Sequence, residues 1–176
     1  MEIFKIIKHT DGGADYLRNA VNYLTDGREV MKAGIGVTAN NTAAAYDEFL
    51  TTAKYFNHQE NNPLFHFVIS FDRNTVDSSE TAMNQTKKIY EKLTEDHQAL
   101  ICIHHSSSES PSYHSHTVMS STNFVNGNLF YGSNSDLFPI AQRIADITQD
   151  KCTMIIEKDK KTGRKEFRKM FYPHKD

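Results

Sequence analysis

Ala99-Leu100-Ile101-Cys102-Ile103-His104-His105, a serine-rich loop from Ser106 to Ser112, and Tyr113-His114-Ser115-His116-Thr117-Val118-Met119 together hold the key to this chain. The outer two segments are apolar runs of strand length, and a short polar loop between them favours an antiparallel pair. Successive side chains on a strand alternate between faces, so His114 and His116 point the same way. Pairing through the serine loop brings His104 or His105 opposite them. Three imidazoles so placed can converge on one ion at about 2.1 Å and leave positions open for water or substrate. On ligand preference alone, three neutral imidazoles suit zinc, manganese, cobalt or nickel better than magnesium.

The flanking sequence supplies a sheet and its cover. Leu64-Phe65-His66-Phe67-Val68-Ile69-Ser70-Phe71 is aromatic and β-branched throughout and reads as a strand central in its sheet. Phe4 to Lys8 reads as an opening strand and Cys152 to Glu157 as a closing one, while His9-Thr10-Asp11-Gly12-Gly13 is turn chemistry. Leu17, Ala20, Val21 and Leu24 recur at helical spacing and Gly27 ends that run, so Tyr16 and Tyr23, seven apart, share one helix face. Further helices are expected over about 42–56, 77–95 and 135–148, with a loop over 32–41 and a hairpin around Asn126-Gly127-Asn128. Helices interspersed with strands and a late hairpin predict an α+β fold, an antiparallel-rich central sheet with helices packed on it.

Bulk properties narrow the class. A length of 176 residues suits one domain, and the boundaries expected are a folded unit over 1–157 and a basic C-terminal extension over 158–176. No apolar run approaches the ~20 residues that span a bilayer, and Met1 to Lys8 is too short and too charged for a signal peptide. Cys102 and Cys152 lie in apolar strand-like runs and read as buried free thiols. A soluble protein of a reducing cytoplasm is the simplest expectation. The net charge of −2 is not the basic footprint that nucleic-acid binding usually leaves. Locally, Lys158, Lys160, Lys161, Arg164, Lys165, Arg168 and Lys169 crowd the C-terminal stretch among Phe167, Phe171 and Tyr172, a run that a solvated hairpin or tail also explains. Of the other histidines, His9, His58, His97 and His174 are placed in polar turns, and His66 is a single imidazole in a strand.

The strand ending at His104-His105, the loop, and the His114-x-His116 strand running into Asn123-Phe124-Val125-Asn126-Gly127 resemble the three-histidine motif of conjugative relaxases, the mobilisation nucleases of the HUH endonuclease type. Lys5 to Lys8 and Ala20 to Leu24 resemble that family's opening strand and tyrosine helix. Phe65-His66-Phe67-Val68-Ile69-Ser70-Phe71 resembles its central strand, so the similarity covers nearly the whole chain.

The resemblance implies a tyrosine transesterase. Tyr23 would be the nucleophile, with Tyr16 as the alternative, and His105, His114 and His116 the metal ligands; counting from Leu100-Ile101-Cys102 favours His105 over His104. Ser70 would contact the DNA backbone. The expected cofactor is a divalent metal ion, manganese or magnesium first, with zinc, cobalt or nickel open. The expected substrate is single-stranded DNA at a transfer origin, cut in conjugation or mobilisation to leave a 5′-phosphotyrosine link, with relaxosome accessory proteins as further partners and no membrane. A phosphodiester repels nucleophiles by its own charge, which a cation offsets, and a phenol of ordinary pKa near 10 must lose its proton to attack. The sequence also departs from the pattern: Ser107 stands where relaxases carry an acidic residue, Glu109 being nearby, and Ser120 where they carry asparagine. Such departures suit the alternative of a relaxase-like domain that binds DNA or a relaxosome protein without cutting.

Overall fold

The computed structural model describes residues 1–7, 14–24, 27–59, 63–106, 112–157 and 165–175, with the side chains of 14–17 left aside. The turn expected over His9 to Gly13, the side chain of Tyr16, the residues Ser107 and Glu109, and Lys158, Lys160, Lys161 and Arg164 lie outside the described residues.

Seven strands and four helices follow one another as β1 (Glu2–Ile7), α1 (Ala14–Leu24), β2 (Glu29–Ile35), α2 (Thr42–Tyr55), β3 (Leu64–Ser70), α3 (Ser79–Thr94), β4 (His97–His105), β5 (Tyr113–Asn123), α4 (Asn134–Thr148), β6 (Cys152–Ile156) and β7 (Phe167–Phe171). The strands make one sheet in the order β2-β4-β5-β3-β1-β6-β7. Every pairing is antiparallel except β1 with β6. The fold is therefore the α+β arrangement expected. No described helix is long and apolar enough to cross a membrane.

Side-chain alternation divides the core in two. Ile101 and Ile103 of β4, Phe67 and Ile69 of β3, and Met119 of β5 pack with Met83, Ile89, Ile140 and Ile144 from α3 and α4. On the opposite face, Leu100 and Cys102 of β4, Leu64 of β3 and Val118 of β5 pack with Ala20, Val21 and Leu24 of α1 and Ala45 and Phe49 of α2. Both sheet faces are thus covered, which explains why β3 and β4 read as continuous apolar runs rather than alternating ones. Cys102 and Cys152 are free and buried.

Helix starts follow ordinary capping chemistry. Asn41 Oδ1 accepts from Ala44 N at 3.0 Å to open α2, and Ser78 Oγ accepts from Thr81 N at 3.1 Å to open α3. Ser133 and Asp136 form a capping box at α4. Each satisfies backbone donors that a helix start leaves unpaired.

Three features differ from expectation. Part of the loop placed over 32–41 is strand β2, where Gly34 is required because a Cβ there would meet the Val37 carbonyl oxygen at 1.9 Å. Within the stretch read as an extension, Phe167–Phe171 pairs with β6 as the edge of the sheet. The turn expected around Asn126-Gly127-Asn128 begins earlier, directly after Asn123. There Asn123 Oδ1 accepts from Val125 N and Asn126 N at 2.9 and 3.0 Å, and Gly127 N donates to Asn123 O at 2.9 Å.

Candidate active site

The register of β4 against β5 pairs His104 with His114 and Cys102 with His116. Residues opposite one another in an antiparallel pair point to the same face. His104, His114 and His116 therefore stand on the α1/α2 face, in line with Leu100, Cys102 and Val118 of the second core. One ligand nitrogen from each lies within 4.8 Å of the other two. His105, one residue out of phase, points away and its side chain is exposed. The imidazole that joins the pair is thus His104 and not His105, and the reason is strand parity.

Each of the three rings is held from behind. His104 Nε2 lies 3.3 Å from the carbonyl oxygen of Leu24, the last residue of α1. A carbonyl only accepts, so Nε2 carries the proton and Nδ1 keeps its lone pair. His116 Nδ1 lies 3.0 Å from Nε2 of His66, and the imidazole of His114 bonds the backbone of Ser112. Such outer contacts fix the tautomer and orientation of metal-binding histidines.

Burial pushes the His116 imidazole down to about 3, with the neighbouring His66, His104 and His114 adding to the effect. His114 is lowered in the same way, by burial first and then by His104. A histidine that resists protonation offers its lone pair at neutral pH, and three nitrogen donors at this spacing fit a divalent ion. Among the described residues no carboxylate joins the cluster.

Tyr23, on α1, reaches the same place. Its ring is 5.5 Å from that of His116 and 5.8 Å from that of His66, both edge-on, and the residue is 46% exposed. A cleft of about 350 Å³ opens beside it, lined by Ile7, Asn19, Ala20, Tyr23 and His66. The Arg28 guanidinium lies 5.3 Å from the Tyr23 ring centroid and is near enough to help lower both His114 and His116. Ser70 is opposite His114 in the β3–β5 register, which sets it at the rim of the cluster.

Two residues here escaped the sequence reading. His66, set aside as a single imidazole, is buried against His116 fifty positions away. Arg28 follows the helix end without any motif to flag it. The parity of His66 with Leu64 was the available signal for the former. His97, placed in a polar turn, instead starts β4, buried, with Nδ1 donating to Ser120 O at 2.9 Å.

A wider groove of about 470 Å³ runs between α1 and α2, lined by Arg18, Val21, Asn22, Thr42, Ala43, Tyr46 and Asp47. Arg18 stacks over the Tyr46 ring, 5.3 Å from its centroid.

Comparison with curated proteins and with solved structures gives no significant match. A family model described as relaxase, MobA/VirD2-like, nuclease domain matches residues 16–152, the span holding the tyrosine helix, the central strand and the histidine cluster, and the chain belongs to that family.

Proposed function

We propose that this chain nicks single-stranded DNA at a transfer origin during conjugation or mobilisation, with Tyr23 as nucleophile and His104, His114 and His116 as the ligands of a divalent metal ion. The observation that carries the reading is the contact of the Tyr23 ring with His116, itself one of three clustered imidazoles. When bound, the ion supplies positive charge to the non-bridging oxygens of the scissile phosphate and orients it for in-line attack.

The protein's own groups do the rest. The Tyr23 phenol oxygen attacks phosphorus, forming a 5′-phosphotyrosine bond while the bond to the 3′-oxygen breaks. The phenol loses one proton and the departing 3′-oxygen gains one, so the step balances and its reversal religates the strand. Arg28 brings a second positive charge to the phosphate, and Ser70 offers a hydroxyl to the backbone. The cleft beside Tyr23 and the Arg18–Tyr46 stack suit an unpaired strand, whose bases lie against aromatic and guanidinium planes.

The test incubates the protein with labelled single-stranded transfer-origin DNA and manganese and seeks a covalent adduct on a denaturing gel. The adduct should vanish with chelator and in Tyr23→Phe. Cleavage without an adduct would mean attack by water and overturn the role of Tyr23. The reading of a relaxase-like domain that binds DNA or a relaxosome protein without cutting is favoured by Ser107 and Ser120, which stand where relaxases carry an acidic residue and an asparagine; tight DNA binding with no reaction would select it.

A further inference from the structure

His66 is 1% exposed, and its Nε2 faces Nδ1 of His116 at 3.0 Å. Its ring lies 5.3 Å from that of His116 and 5.8 Å from that of Tyr23, so the three rings form one packed unit. Two facing imidazole nitrogens bond only when one is protonated and the other is not. With His66 as donor, a neutral His116 would hold its proton on Nε2 and have no lone pair for a cation. With His116 as donor from Nδ1, the Nε2 lone pair is the one left to meet His104 and His114.

We propose that His66 is a positioning residue for the metal centre: it accepts the Nδ1 proton of His116 and thereby holds that ring in the tautomer that binds metal, pressed against Tyr23. The inference rests on the metal reading of the three-histidine cluster. A carboxylate or backbone carbonyl often takes this part. An imidazole adds no negative charge, so the ligand set stays neutral and the ion's charge is spent on the phosphate. It also gives Tyr23 a flat, buried neighbour, as a carboxylate would not. For His66 to accept at Nε2 its own proton must sit on Nδ1.

The experiment measures manganese affinity by calorimetry, and the visible spectrum of the cobalt form, for the wild type, His66→Phe and His66→Gln. Loss of the outer partner should weaken manganese binding about 10- to 100-fold in His66→Phe and change the cobalt spectrum, while His66→Gln, which keeps an acceptor, recovers part of both. Thermal melting of each variant separates this from loss of fold, since a purely packing role would lower the melting temperature without moving the spectrum. His66→Phe within twofold of the wild type would overturn the inference alone; a wild type that binds no metal would overturn the metal reading as well. Long-range proton–nitrogen correlation spectra of the wild-type zinc form give an answer independent of the variants: a proton on Nδ1 of His66 is expected, and one on Nε2 contradicts the proposal.

Discussion

His104 Nε2 lies 3.3 Å from the carbonyl oxygen of Leu24, the residue that follows Tyr23 on α1. A helix end leaves carbonyls without intrahelical partners, and this one is met by a candidate metal ligand. The helix that presents Tyr23, the proposed nucleophile, is therefore tied to the three-histidine cluster by a hydrogen bond as well as by packing.

The tie makes His104 and His105 separable by substitution. His104→Ala should cost more in manganese affinity than the 10- to 100-fold typical of an outer partner, whereas His105→Ala, on the exposed side of β4, should stay within a few-fold of the wild type. Calorimetric titration of the two variants decides it, and the reverse order would restore His105 as the ligand.

Arg28 is expected to act on charge. Arg28→Gln should lower the rate of adduct formation about 100-fold, the scale seen when one preorganised donor to a developing negative charge is removed, with manganese affinity nearly unchanged. Single-turnover kinetics on labelled DNA measure the rate.

Protonation should weaken the metal-free protein. An unfolded histidine takes up its proton near pH 6.5, whereas His116 resists it until about 3. Between those limits the unfolded chain binds more protons, so stability falls as pH is lowered through that window. This group alone contributes at most about 1.4 kcal/mol per pH unit, and His114 acts with the same sign. Urea midpoints taken from pH 7 to pH 5 should decline, and His116→Phe should flatten the slope.

Binding of the unpaired strand should depend on Arg18. If the groove between α1 and α2 carries the backbone, Arg18→Ala removes one phosphate contact and reduces the salt slope of single-strand affinity by about 0.7. Fluorescence anisotropy over a salt series reads this directly; an unchanged slope places the strand elsewhere.

Gly127 closes the turn after β5 at a φ of +76°, and a Cβ there would meet the Phe56 ring at 2.5 Å. Gly127→Ala should therefore destabilise the fold by about 1–2 kcal/mol from the left-handed backbone alone, and further from the clash. The loss is measurable by urea denaturation and should leave manganese affinity untouched.

The interior strands could be read from the sequence because burial on both faces makes them continuous apolar runs, as in Leu100-Ile101-Cys102-Ile103. The edge strands could not: Gly34 interrupts β2, and Arg168 and Lys169 make β7 look like a tail. Edge strands carry such residues because one side lacks a partner. In the site, the His114-x-His116 spacing disclosed a shared face from local geometry alone. Choosing between His104 and His105 required the register across the serine loop, which counting along one strand does not contain. His66 was hidden for the same reason, since its partner is on a neighbouring strand fifty residues on.

Tyr23, whose ring lies beside those of His116 and His66, is the proposed point of attachment to DNA. Trypsin cuts after Lys8, Arg18 and Arg28, so Tyr16 and Tyr23 fall in separate peptides, His9 to Arg18 and Asn19 to Arg28. Mass spectrometry of the digested adduct, after nuclease trimming of the strand, should find the nucleotide on the Asn19–Arg28 peptide. Nucleotide on the His9–Arg18 peptide, or on neither, would contradict the account.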